Sequence, residues 1–387
     1  MADYLMSVFT PQTPEEMASC LAEARSRGLT ITLIGSGSKN RMAGPVPSSD
    51  VCISTTGLRR VLQYEPQDLT ISVEAGLPWR DLTALLAGNR QMVPLDPPFA
   101  EQATVGGVLA ANSSGPRRRL YGTARDLVIG MKFATLEGKL VQSGGTVVKN
   151  VAGLDMGKLM IGSFGTLAAM AVVNFKLMPM PAEERTFLLR FNSLDAAFDI
   201  RDAILKSVLQ PAAIDLIHAD EQGLMLAIRA GGNAAVVERY QRELGAMGDL
   251  SVLEGDDESD FWQGIREFTP RFLARHDDGA VVRVSAVLTQ SKEMMERLPK
   301  PAVLRAGSGV GYACFARCEE ASQWLAAHAA GGWKAIMESA PENRTASLEM
   351  WPTPQGSANN DFELMKRVKR MFDPHGLLNR DRLYCRI

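Results

Sequence analysis

Three glycine-rich segments, distant in sequence but alike in character, constrain this chain more than any other feature. The first lies in "TITLIGSGSKNRMAGP" (30–45), where a β-branched run breaks into Gly35-Ser36-Gly37-Ser38-Lys39-Asn40. The second is "ATVGGVLAANSSGPRRRLYG" (103–122) and the third "GGTVVKNVAGLDMGKLMIGSFGTL" (144–167). Glycines, hydroxyls and a lysine directly after a strand point to a bound phosphate, because bare backbone N–H groups can close on an anion. The P-loop is excluded, since its G-x-x-x-x-G-K-[ST] spacing fails and Asn40 follows Lys39. A Rossmann fingerprint is excluded too. Asn40 stands where its third glycine belongs, and "RMAGPVPSSD", with two prolines, cannot start its helix. Alone, the loop is compatible with a plain surface turn or with a backbone nest around an anion.

Bulk properties remove several functional classes. Lys+Arg number 42 against 44 Asp+Glu, a formal net charge of -2, so there is no field for nucleic acid and no acidic tail. "MADYLMSVFTPQTPEE" lacks the basic start and apolar core of a signal peptide. The uncharged run Leu159–Phe175 is interrupted by Gly162, Ser163, Gly165 and Asn174 and reads as turn plus strand, not as a membrane span. The expectation is a cytoplasmic protein with no direct membrane insertion. Five scattered cysteines fit a reducing compartment. "CFARC" (314–318) reads as two core thiols on one face of a strand, and an iron–sulfur cluster, which needs four thiolates, is not expected on this chain. His218, His276, His328 and His375 are isolated and none has ligand spacing, so no metal site is expected.

The first helix is well marked. Thr13 caps it, Pro14 suits its first turn, Glu16 completes a capping box, and Met17, Cys20, Leu21 and Ala24 recur at helical spacing until Gly28. Strands follow at 51–55, 59–65 and 69–75, then a helix from Trp79 and a strand at 91–98 running into a proline-rich turn. A hairpin-like stretch with its turn at Glu137-Gly138 separates the second and third glycine-rich segments. "LMPMPAEERT" (177–186) is a composition break. Beyond it, strands alternate with helices in two similar sets, which predicts a ferredoxin-like antiparallel sheet with helices on one face. A final helix near 361–372 stops at Asp373-Pro374.

Three glycine-rich segments are too many for one mononucleotide loop. They fit a long ligand lying across several loops, with a diphosphate at one nest and rings further along; a dinucleotide such as FAD has the natural size. The combination of "SGSKN", "PLDPP", "ATVGGVLAANSSGPRRRLYGTARDLVIG", "GGTVVKNVAGLDMGKLMIGSFGTLAAM" and "VKRMFDPHGLLNRDRL" resembles the vanillyl-alcohol oxidase (PCMH-type) flavoprotein family across nearly the whole chain, and within it the FAD-binding subunits of glycolate dehydrogenase. The resemblance implies an α+β fold. A PCMH-type FAD-binding domain of two α+β subdomains (1–180) would precede a ferredoxin-like antiparallel-sheet cap domain (181–340), and a C-terminal segment (341–387) would return to the FAD-binding domain.

Carried over by position, the resemblance assigns diphosphate donors to Gly35, Ser36, Gly37, Ser38, Lys39 and Asn40. It lines the flavin with Pro94, Leu95, Asp96, Thr104, Val105, Gly106 and Gly107, continued by Asn112, Gly115, Pro116, Tyr121 and Gly122. Asn150, Val151, Ala152, Gly153 and Asp155 would close over it, with Met170 near the adenine. It also implies oxidation of a small 2-hydroxy acid, glycolate, beside a catalytic flavoprotein subunit and an iron–sulfur subunit. A free-standing 2-hydroxy-acid dehydrogenase and a non-catalytic assembly subunit are the alternatives. No catalytic residue is identified; Arg344 is the one guess for a substrate carboxylate. Arg117-Arg118-Arg119 reads as a solvated turn or partner-facing spot more readily than as an anion clamp.

Covalent members of the family attach flavin through a His in the first segment or a Cys in the second. This chain has Ser, Lys and Asn in the first and no Cys between Cys52 and Cys314. Noncovalent FAD is therefore predicted. Acid precipitation should leave all the flavin in the supernatant; a yellow pellet would contradict this.

Overall fold

The structure is a computed structural model that describes residues 7–145, 155–219, 223–328, 333–344, 347–352 and 360–387. The fold is α+β. Its first part holds two sheets. A parallel three-stranded sheet of order β1-β3-β2 is formed by β1 (Ser7–Phe9), β2 (Ile31–Ile34) and β3 (Val51–Ser54). The helix Pro14–Ser26 covers it, burying Met17, Ala18, Leu21 and Ala24; Thr13 Oγ1 accepts from Glu16 N, while the Glu16 carboxylate accepts from Gln12 N one residue before the cap, so the expected capping box is only half formed. A five-stranded antiparallel sheet of order β4-β5-β9-β7-β8 uses β4 (Val61–Glu65), β5 (Thr70–Glu74), β7 (Val128–Ala134), β8 (Leu140–Gly144) and β9 (Ala169–Lys176). Two short strands, β6 (Gln91–Met92) and β10 (Met178–Pro179), pair where the chain leaves this region.

The second part is an eight-stranded antiparallel sheet of order β14-β11-β13-β12-β16-β17-β15-β18. Its first half is β11 (Glu183–Phe191), β12 (Ala213–Ala219), β13 (Gly223–Gly232) and β14 (Leu250–Leu253), with helices Leu194–Lys206 and Ala234–Gly245. Its second half is β15 (Ala280–Ser285), β16 (Ala302–Arg305), β17 (Val310–Phe315) and β18 (Lys334–Ser339), with helices Ser291–Arg297 and Cys318–His328. Each half runs βαββαβ with the ferredoxin-like order, and the two join edge to edge where β12 pairs with β16. One apolar core containing Phe187, Leu226, Ile228, Val282, Leu304 and Met337 spans both. Two helices, Gly255–Arg266 and Phe268–Leu273, are inserted between the repeats.

Three sequence expectations are corrected here. "CFARC" does not lie on one strand: Cys314 ends up buried in β17, whereas Cys318 starts a helix and its Sγ donates to Asp278. "QMVPLDPP" is a strand only at Gln91–Met92, because three prolines remove ladder donors. The Arg117–Arg119 run is no solvated turn. Arg117 is part-buried between Asp96 and Glu184, Arg119 donates to the Pro211 carbonyl, and Arg118 faces a cavity described below.

The last segment packs on the first sheets. Helix Asn360–Phe372 ends in a buried knot, where Lys369 Nζ donates to the carbonyls of Thr166 and Leu378 and to Asp373 at 2.7 Å. Asp373 in turn accepts the backbone N–H groups of Leu377 and Leu378. Leu377 O then accepts from Ile31 N at the start of β2. Asp373→Ala would strand a buried ammonium and two amides, so it should cost about 3–5 kcal/mol, read as a lowered urea midpoint.

Candidate functional site

Strand β2 delivers the first glycine-rich loop to a cleft, open to solvent, that encloses about 790 Å³. The second and third segments and the C-terminal turn meet it there. Thr104 caps the helix Val105–Ala110 by accepting from Gly107 N, which sets the Gly106-Gly107 backbone against the cavity. Gly35 passes so close to Thr104 that a Cβ would stand 2.5 Å from its Oγ1. Only glycine fits there. Asn379 closes the far side: its amide nitrogen donates to the carbonyls of Leu33 and Phe164, and its oxygen accepts from Leu33 N at 2.7 Å.

The electrostatics of this cavity are lopsided. Among the described residues, the backbone N–H groups of Ser36, Gly37, Ser38 and Lys39 have no protein acceptor. Lys39 is buried, with its Nζ 5.6 Å above the Phe99 ring and no carboxylate in contact among the described residues. Burial lowers its pKa to about 8, a shift that the more distant Glu267 only partly opposes. Arg382 is equally buried and is satisfied by carbonyls, donating to Lys39 O, Asn40 O and Gly44 O. Burial brings it down to about 10. Two buried cations and four free N–H groups on one wall suit a dianion, and the diphosphate of a dinucleotide carries that charge.

A second cavity, of about 690 Å³, shares Ala111 and Phe164 with the first. Its floor is the 112–118 stretch and its roof is the eight-stranded sheet with its inserted helices. Arg118, Arg266, Arg283 and Arg305 line it, with Tyr312, Tyr384 and Glu338. Arg305 pairs with buried Asp215, Arg266 with Glu267 and Arg283 with Glu338, whereas Arg118 has no ion pair among the described residues. Asn112 Oδ1 and Ser113 Oγ are buried on the floor without a partner. Arg118 and the Ser113 hydroxyl can donate to a small anionic ligand here, and Asn112 Oδ1 can accept from a hydroxyl on it.

The residues assigned by resemblance divide between these cavities and their supports. Gly35 to Asn40, Thr104, Gly106, Gly107 and Met170 line the first cavity. Asp96, Asn112 and Gly115 line the second. Leu95 and Val105 are fully buried core, Pro94 and Pro116 are buried, and Gly122 packs on Asp126 with a left-handed φ of 81°. Tyr121 is half-buried near Arg117 and Glu184. Asp155 is exposed and caps the helix Met156–Met160, accepting from Lys158 N. Asn150, Val151, Ala152 and Gly153 lie outside the described residues. Arg344 lines neither cavity; it pairs with Glu319 and Asp278. The arginines of the second cavity carry no signal in sequence, because strands β15 and β16 and the inserted helix bring them together only in the fold.

Lys39 gives a direct test of the first cavity. Lys39→Gln should weaken FAD binding by about 10–100-fold, the range of one charge-assisted hydrogen bond. Wild-type affinity should fall as pH rises through about 8, where the apo lysine loses its proton, and the variant should lack that step. The linked stability has the opposite sign. Between about 8 and 10.5 the unfolded chain binds more protons, so the apo protein gains stability with pH across that window.

A family profile described as "FAD binding domain" matches residues 6–144, and one described as "FAD linked oxidases, C-terminal domain" matches 355–383. The chain is 30% identical to glycolate oxidase subunit GlcE of Escherichia coli (strain K12) over 366 residues, covering 94% of this chain and 95% of that protein. It is 28% identical to glycolate oxidase subunit GlcD of Bacillus subtilis (strain 168) over 212 residues, 54% of this chain and 45% of the relative. Among solved structures, 4-ethylphenol oxidase from Gulosibacter chungangensis superposes with a TM-score of 0.73 over 97% of this chain and 88% of that one, at 14% identity, which shows a common fold. The full-length match settles the affiliation: the chain belongs to the PCMH-type FAD-binding family of oxidoreductases that includes glycolate oxidase subunit GlcE, and FAD is its cofactor.

Proposed function

We propose that this chain is the FAD-bearing subunit of a multi-subunit glycolate dehydrogenase, and that its second cavity receives a small 2-hydroxy acid for oxidation beside the flavin. The observation that carries the reading is the junction of two cavities at Ala111 and Phe164, one suited to a dinucleotide and the other to a small anion. Bound FAD supplies the two-electron acceptor; the protein holds and orients both partners. The Gly35–Asn40 loop would hold its diphosphate, with Lys39 and Arg382 neutralising it. The substrate carboxylate would pair with Arg118, with the Ser113 hydroxyl donating to it from below. The relatives named as glycolate oxidase subunits support the substrate class and the assembly.

In this reading a catalytic flavoprotein subunit and an iron–sulfur subunit complete the complex. The five cysteines support this, since all are free and none of the described metal-competent groups contains more than one of them. No helix among the described residues is long and apolar enough to cross a membrane. The reading locates the protein in the cytoplasm, docked on a membrane only through its partners. Because both cavities are built from this chain, a free-standing FAD-linked 2-hydroxy-acid dehydrogenase is the second reading.

Anaerobic mixing of the FAD-loaded chain with glycolate tests these readings. Loss of the visible flavin bands without partners supports a competent site on this chain, and dependence on added partner subunits supports a relay within the complex. A flavin that stays oxidised under both conditions contradicts the proposal. Arg118→Leu should raise the glycolate concentration for half-reduction by about 10–100-fold, the loss of one charged hydrogen-bond donor.

A further inference from the structure

A 2-hydroxy acid gives up two hydrogens on oxidation, one from carbon and one from oxygen, and the oxygen-bound one must leave as a proton. Among the described residues no histidine lines the second cavity, and its carboxylates are Asp96 and Glu338. Asp96 is engaged elsewhere. Burial would push its carboxyl up, but Arg117, Arg229 and Arg266 outweigh that and hold it below the usual range. We infer that Glu338 is the proton acceptor of this cavity, held in place by Arg283 and Tyr384. The inference rests on the second cavity being the substrate site.

Two departures from regular backbone converge on this spot. In the pairing of β18 with β15, Val281 faces Ser339 while Val282 faces Met337, so Glu338 is the extra residue of a β-bulge. Bulges re-aim side chains and concentrate beside active sites. Opposite it, Leu383, Tyr384 and Cys385 have φ of 56°, 64° and 59°, three successive left-handed residues with side chains. Each costs about 1–2 kcal/mol over a right-handed conformation, so such a turn persists only where the surroundings impose it. Here Arg382 anchors it to the Asn40 and Gly44 carbonyls, and Tyr384 N donates to Ala43 O. The result is a buried Tyr384 ring lining the same cavity as Glu338.

The charged and titratable groups around Glu338 are Arg283 of β15 at 3.0 Å, Arg305 of β16, Tyr312 of β17 and Tyr384 of the terminal turn. Burial pushes the Glu338 carboxyl up against the pull of Arg283 and Arg305, toward the basicity a proton acceptor needs. Tyr384, held up to about 12 chiefly by burial, stays a neutral phenol hydrogen-bonded to Arg283. In the step itself the substrate O–H bond breaks and its proton passes to a Glu338 oxygen. Bound flavin would accept the electron pair of the breaking Cα–H bond, and the C–O single bond would become the carbonyl of a 2-oxo acid. Glu338 would hold the proton and the two electrons would leave on the flavin.

The test uses the FAD-loaded full chain, with oxalate as an unreactive probe of binding and glycolate as reductant. Glu338→Gln should leave the oxalate-induced change in the flavin spectrum within about 3-fold in affinity and slow flavin reduction by about 100-fold or more. Wild-type reduction should also fall toward acid pH, as Glu338 takes up a proton, and the variant should lack that limb. Reduction of the variant at a rate near wild type overturns the assignment. A wild-type rate that does not fall on the acid side overturns it without relying on any variant. If oxalate leaves the wild-type spectrum unchanged and no 2-hydroxy acid reduces it, the substrate reading fails and takes the assignment with it.

Discussion

Lys39 and Arg382 lie buried on one cavity wall with no carboxylate touching either among the described residues, and much of the first part of the structure is arranged around that charge. A buried cation needs compensation. Here carbonyl oxygens, the Phe99 ring and the Phe164 ring provide only part of it. The C-terminal turn has to reach back across the chain so that Arg382 can brace the loop through its carbonyls. Gly44, with a φ of 95°, lets that turn come within reach, since a Cβ there would lie 3.1 Å from Cys385 N. The fold therefore maintains a standing positive potential on this wall, one that an anionic ligand would neutralise. Folding and cofactor loading are linked for the same reason, because a ligand that binds only the folded chain adds to its stability.

A second set of charges couples the loops of the first part to the eight-stranded sheet. Arg117 reaches from the second glycine-rich segment to Asp96 at 3.1 Å and to Glu184 at 2.8 Å. Glu184 also meets Arg229, which pairs with Glu258, and Glu258 accepts from Thr186, whose hydroxyl accepts from Trp262 Nε1 at 2.6 Å. Removing one member would leave several buried charges facing one another, so the two halves of the molecule hold their relative placement tightly. That placement is what lets the 112–118 floor and the sheet's arginines face across the second cavity.

How much of this could be read from sequence depended on range. Local signals carried far: Thr13 caps the first helix, and the alternation of strands and helices past residue 186 marks two similar sets in a ferredoxin-like sheet, although the closing strands β14 and β18 are not marked. The glycine-rich segments pointed to a long ligand because close backbone approach leaves its mark on composition. The chemistry of the second cavity left no such mark. Arg118 sat in a run of three arginines whose members diverge to a part-buried ion pair, a cavity and a carbonyl, and side-chain direction decides between these outcomes. Glu338 lies in a strand that reads as ordinary, and its orientation follows from a bulge set by pairing with β15. Tyr384 depends on a left-handed turn that no local propensity favours.

The helices inserted between the two repeats have a meaning for how such a protein can change. They supply Arg266, Phe268 and Thr269 to the second cavity, and Glu267 receives the Phe99 and Ala100 amides, while no strand of the eight-stranded sheet runs through them. The edge-to-edge pairing of β12 with β16 already gives each repeat its neighbour. A substitution in the insertion can thus reshape the chamber wall and leave the sheet's ladder untouched. Phe268 and Thr269 are free to change the lining of the second cavity in this way, whereas Glu258 and Trp262 of the same insertion are tied to the sheet through Arg229 and Thr186.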